Sequence, residues 1–127
     1  MLKILKCIAS ALAGAFCFFF GPWNAVMGIL LAIVIIDYVT GVISAAMRGT
    51  LSSKKGFGGI LKKIFIFMIV ALAAMADRLF PMTNQAIRTT VCMFYIANES
   101  LSVLENAGEI GLKLPKALKD AIEKLKD

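Results

Sequence analysis

One carboxylate lies within an apolar run. In IIDYVTGVISAAMRGTLSSKKGFGGILKK, residues 35–63, Asp37 interrupts a hydrophobic stretch that leads into a glycine-rich, cationic loop. An ionisable group in mid-membrane costs at least about 2.5–3.5 kcal/mol, so it faces a protein interior or a water-filled cavity rather than lipid. Thr40 and Gly41, one turn on, share the helix face of Asp37. Thr40 offers a hydroxyl, and Gly41 with Ala45 forms a small-xxx-small patch on which a second helix can close. Two roles are open to Asp37. It either pairs internally with a lysine or hydroxyl and fixes a bundle, or faces a subunit contact or aqueous lumen; the second is the expectation. Asp77, near the end of a later apolar run, joins the same candidate set.

A second polar group lies in AIRTTVCMFYIANESLSVL, residues 86–104. Asn98, Ser102 and Glu105 fall at i, i+4 and i+7 on one helix face, with Glu99 beside them. Met93, Ile96, Leu101 and Leu104 give the segment an apolar face. Such a helix is satisfied in a bilayer only when its polar side is buried among helices or around water. The alternative is an interfacial helix that never crosses.

Other chemistry finds no residues to carry it. The chain has no histidine, the commonest general base and metal ligand. Cys7, Cys17 and Cys92 are too few and too scattered for a disulfide framework or thiolate metal site, and read as small hydrophobes. Gly56, Gly58 and Gly59 match neither phosphate-binding glycine pattern, and no strand precedes them. No nucleophile stands beside a base. The Asn-Glu-Ser glycosylation match at 98–100 lies within a hydrophobic segment. The reading is a non-enzymatic chain without cofactor or metal.

The elements that hold these residues are membrane spans. With 127 residues, 60% of them hydrophobic, the chain has room for one domain but too much apolar surface for a small soluble one. Cys7 to Ile36 contains no charge. As one helix it would run about 45 Å, against a hydrocarbon core of about 30 Å. GPWN at 21–24 divides it: Gly21 and Pro22 stop one helix, Trp23 suits an interface, and Asn24 can cap the next. Spans are expected at about 4–20, 24–47, 61–80 and 86–104, with a pliable loop from 48 to 63. Four spans put twelve of the fourteen Lys and Arg on one side. Three would move the tail lysines across, against the positive-inside tendency. Four spans with both termini cytoplasmic are therefore favoured, with Arg48, Lys54, Lys55, Lys62 and Lys63 at the inner headgroups. The lysines flank spans rather than forming a stripe with exposed aromatics, which argues against nucleic acid. In the tail, residues 112–127, Leu114, Leu118, Ile122 and Leu125 recur at helical spacing after Pro115. This is a short amphipathic helix, either flat on an anionic leaflet or a solvated tail. FFFGPWNA offers no A-x-A site, and Phe16 before Cys17 occupies a lipoprotein position that needs a small residue. The first span is thus expected to stay in the mature chain.

Four pieces in series resemble the toxin-secretion/phage-lysis holin family. They are D-Y-x-T-G at 37–41, S-S-K-K-G at 52–56, N-E-x-x-S-x-L-E-N at 98–106 and L-P at 114–115, and the resemblance covers about residues 27–125. It implies a small, multi-pass inner-membrane protein of a phage, prophage or toxin locus, which associates with itself and forms timed lesions. An endolysin or a large toxin then leaves the cell. The whole expectation is an all-α integral membrane domain over 1–127, oligomeric, with lipid and its own copies as partners. Its oligomer or lumen residues are Asp37, Thr40, Gly41, Ala45, Asp77, Asn98, Glu99, Ser102 and Glu105. A narrow ion channel or transporter subunit, and an antiholin, are the rival readings.

Overall fold

The charge-free N-terminal run is divided at GPWN. In the computed structural model, which describes residues 1–126 without the side chains of Leu125 and Lys126, Gly21 takes φ 75° at the end of α1 (Leu2–Phe20). The Asn24 side chain then accepts from the Met27 amide at 3.1 Å and caps α2 (Ala25–Met47). The next helix, α3 (Ser53–Leu79), starts well before the expected residue 61. Ser52 caps it by accepting from the Lys55 amide, so the SSKKG stretch is the helix's first turn and not a loop. Gly56 and Gly59 have a packing reason inside that helix. The Tyr38 hydroxyl donates to the Gly56 carbonyl at 3.4 Å, and a Cβ at Gly59 would touch the Tyr38 ring at 3.7 Å. α3 ends before Pro81, which opens a 3-10 turn (Pro81–Thr83). α4 (Ala86–Glu109) runs five residues past the expected 104, and α5 (Lys116–Lys126) follows Pro115. No strand occurs among the described residues.

α4 is the centre of the bundle. It packs most broadly on α2 and next on α3, while α2 and α3 touch each other little. The buried positions explain why. On α2 they are Met27, Leu30, Val34, Asp37 and Ser44; on α4, Arg88, Cys92 and Glu99; on α3 they include Ile66, Val70, Ala73 and Asp77. Alternating steps of three and four, or multiples of them, keep each set on one helix edge, the spacing of a knobs-into-holes seam. The apolar core is Met27, Leu30, Val34, Val70 and Cys92, backed by Phe20, Phe67 and Tyr95.

The outside is oily. Ile29, Ile35, Ile36, Val39, Ile64, Phe65, Met68 and Leu72 are all exposed, a face that lipid covers and water would not tolerate. α1, α2 and α3 are long and apolar enough to cross a membrane, with mean hydropathies of 1.8, 2.5 and 2.1. α1 has no buried residue and lies against α3. Two arginines hold its C-terminal end, where unpaired carbonyls attract cations. Arg78 donates to the Cys17 carbonyl at 3.2 Å and stacks over the Phe18 ring, 4.7 Å from its centroid.

The tail helix packs against the rest of the bundle. Gly111 turns the chain at φ 90°, and Ile122 is buried beside Leu104 and Leu114, so α5 folds back on the end of α4. Leu125, the last apolar position of the expected pattern, lies outside the described side chains.

Candidate functional site

Asp37 meets a lysine. The Lys63 ammonium of α3 donates to Asp37 Oδ2 at 2.7 Å and to Glu99 Oε2 of α4 at 2.9 Å, so one cation joins three helices. Asn106, two turns further along α4, donates from one nitrogen toward the Asp37 carboxylate (3.2 Å), the Asp37 carbonyl (3.2 Å) and the Thr40 hydroxyl (2.9 Å). The Thr40 hydroxyl in turn donates to the Ile36 carbonyl at 2.8 Å. Gly41 makes room for this: a Cβ there would lie 3.6 Å from the Asn106 nitrogen. Asp37 is 7% exposed and Glu99 5%. No buried side-chain nitrogen or oxygen among the described residues lacks a partner, as a low-dielectric interior requires.

Toward the 48–52 turn the seam stays polar. The Ser44 hydroxyl donates to Glu109 at 2.9 Å, and Arg48 bridges both, at 3.2 Å to the serine and 3.1 Å to the glutamate. Ser102 and Ala45 line a crevice of about 350 Å³ above the Asp37–Lys63 pair.

Several expected placements change. Lys63 is not at the headgroups: its side chain is 17% exposed and turned inward between two carboxylates. Asp37 has partners within the single chain, Lys63 and Asn106, the internal pairing that was the first of its two open roles. Asn98 is exposed, and the polar edge of α4 is Glu99, Ser102, Asn106 and Glu109, rotated by one residue from the 98/102/105 face. Glu105 is half-buried and lines the cleft between α4 and α5. Lys54, Lys55 and Lys62 are exposed, as is Arg48 beside Glu109.

Asp77 sits at the opposite end. Its carboxylate accepts from the Thr83 hydroxyl (2.6 Å) and from the Ile87 and Arg88 amides (3.0 and 2.8 Å). It therefore fastens the start of α4 to the end of α3, a distant N-cap that Gln85 itself does not supply. Arg88, 1% exposed, donates to the Phe20 and Pro22 carbonyls at 2.6 and 2.7 Å and to Gln85 at 2.8 Å.

The model of the bacteriophage holin family matches residues 14–127. The chain belongs to that family. The match reaches back into α1, further than the resemblance at residue 27. A probable holin of Bacillus phage phi105 is 35% identical over 76% of this chain and 70% of its own. An uncharacterised protein of Halalkalibacterium halodurans is 43% identical over 99% of this chain and 96% of its own. An uncharacterised 14.9 kDa protein of Clostridium perfringens is 37% identical over 91% and 87%. No solved structure matches.

As a member of the holin family, the chain is a non-enzymatic, multi-pass membrane protein whose partner is the bilayer. Sequence reasoning missed four residues of this holin-family bundle: Ser44, Arg88, Asn106 and Glu109. For the three on α4 the signal was available. Positions 88, 92, 95, 99, 102, 106 and 109 run at alternating steps of four and three, and that register selects the buried edge of α4.

Proposed function

We propose that the chain is a holin of a bacterial inner membrane. Copies accumulate as sealed bundles, associate above a threshold density, and breach the bilayer so that an endolysin or exported toxin can leave. The observation that carries this reading is the holin-family match across residues 14–127, supported by the phage relative named a probable holin.

In this proposal α4 is a fourth span and both termini are cytoplasmic. Its 24 residues would extend about 36 Å, enough to cross, and its mid-helix acid, Glu99, turns inward to Lys63 rather than to lipid. The charged loop and tail then share the cytoplasmic side. A single bundle is quiet because Lys63 and Asn106 satisfy Asp37 and Glu99 from within. The bonds among Asp37, Lys63 and Glu99 are side chain to side chain, so an equivalent group on a neighbouring copy can replace each partner. Individual interhelical hydrogen bonds contribute only about 0.6 kcal/mol in membranes. Many such exchanges around a ring make assembly steeply dependent on density.

Inducible expression in a bacterium, with and without a co-expressed cytoplasmic endolysin, tests the reading by membrane potential and optical density. A holin gives abrupt depolarisation and loss of viability, with lysis when endolysin is present. Steady ion flux in cells that stay viable points instead to a narrow channel, and no killing at all to an antiholin. Asp37→Leu is expected to insert normally and shift the time of lysis; unchanged timing and unchanged oligomer size would make Asp37 a bundle filler.

A further inference from the structure

Two cavities meet at Tyr38. The first is the polar crevice of about 350 Å³ between the ends of α2 and α3, lined by Arg48, Thr50, Ser52 and Lys55 and by Asp37 in its ion pair with Lys63. The second, about 260 Å³, is an apolar groove on the side of the bundle, walled by Val34, Ile35 and Val39 on α2 and by Ile60, Ile64 and Phe67 on α3. Tyr38 and Lys63 line both. The groove exists because α2 and α3 pack chiefly on α4 and leave a gap on the side where they face each other. Gly56 and Gly59 widen the junction, since the Tyr38 ring lies over them instead of over side chains.

We propose that this pair of cavities is a binding site for one anionic phospholipid, with its phosphate in the crevice and an acyl chain in the groove. Charge identifies the head. Lys63 is engaged by two carboxylates and Arg48 by Glu109. Lys55 has no ion-pair partner among the described residues, and with the Ser52 hydroxyl it offers donors to a phosphate. Depth identifies the tail. From Lys55 to Ile64 and Phe67 is nine to twelve residues of α3, or about 13–18 Å along the axis. That is the thickness of one leaflet, half of the roughly 30 Å hydrocarbon core. A free phosphate would use the crevice and leave the apolar groove without a ligand, so the graded pair fits a lipid. The site follows from residence in a membrane and does not depend on lesion formation, so its test is separate from that of lysis.

Native mass spectrometry of the full-length, delipidated protein in detergent tests it, with phosphatidylglycerol, phosphatidylcholine and glycerol phosphate as probes. The expected result is a single phosphatidylglycerol adduct at a concentration several-fold below that for phosphatidylcholine. Lys55→Ala should weaken it about fivefold, and Ile64→Trp, which fills the groove, should weaken it at least as much. Both positions are exposed, so the bundle tolerates the changes. Lys54→Ala, outside the crevice, should leave the adduct intact. Equal retention of the two lipids, insensitivity to either of the first two substitutions, or displacement by glycerol phosphate alone would overturn the proposal.

Discussion

Two of the bundle's buried polar clusters are built differently. At the end with the 21–24 and 80–85 turns, Asp77 and Arg88 bond mainly to the main chain: two amides for the aspartate, two carbonyls for the arginine. In the middle, Asp37, Lys63, Glu99 and Asn106 bond mostly side chain to side chain across three helices. Main-chain groups belong to one fold and no second copy can supply them in the same place. Side-chain donors and acceptors are interchangeable. The first cluster therefore fixes the turns, and the second is the one in which assembly can trade partners.

The severest challenge to that contrast is Lys63→Met. It leaves two buried carboxylates without their cation and should lower stability by about 3–5 kcal/mol, read as thermal unfolding in detergent. Adding Asp37→Leu and Glu99→Leu to it should restore most of the loss, because whole buried ion clusters exchange for apolar groups at little net cost. If the triple variant stays as unstable as the single one, the cluster is not a self-contained set. Asp77→Ala comes next. It strands the Ile87 and Arg88 amides, and we expect a loss of about 1.5–3 kcal/mol together with faster proteolysis at the 80–86 turn. That loss should be the same at every protein-to-lipid ratio, whereas the effect of Asp37→Leu on oligomer size should grow with density; identical behaviour would erase the distinction. Asn106→Ala removes donors to Asp37 and Thr40 and should lower stability by about 0.5–1.5 kcal/mol. Asn98→Ala, on the exposed side, should stay within about 0.5 kcal/mol of the parent in the same melt. A larger change there would return the polar edge to the 98/102/105 register.

Much of the helical layout was legible because its signals are local. A charge-free run longer than the bilayer, a Gly-Pro break and an Asn cap place α1 and α2 within two residues. The start of α3 was not, since Ser-Ser-Lys-Lys-Gly reads as a turn, and only Tyr38 packing on Gly56 and Gly59 explains helix there. That shift also hid Lys63. Counted from residue 61 it lies at the surface; counted from Ser53 it is about 15 Å down the helix, level with Asp37. The edge of α4 was off by one because Ser102 fits both candidate faces, and four or five residues cannot separate them. The extra turn to Glu109 extends the pattern far enough to decide. Arg88, near the start of α4, is buried because carbonyls at the end of α1 lacked hydrogens from their own helix.

That last contact has a consequence for biogenesis. The groups at Phe20 and Pro22 leave the ribosome long before the guanidinium that clasps them. Until translation has delivered residue 88, the joint between the first two helices lacks that clasp.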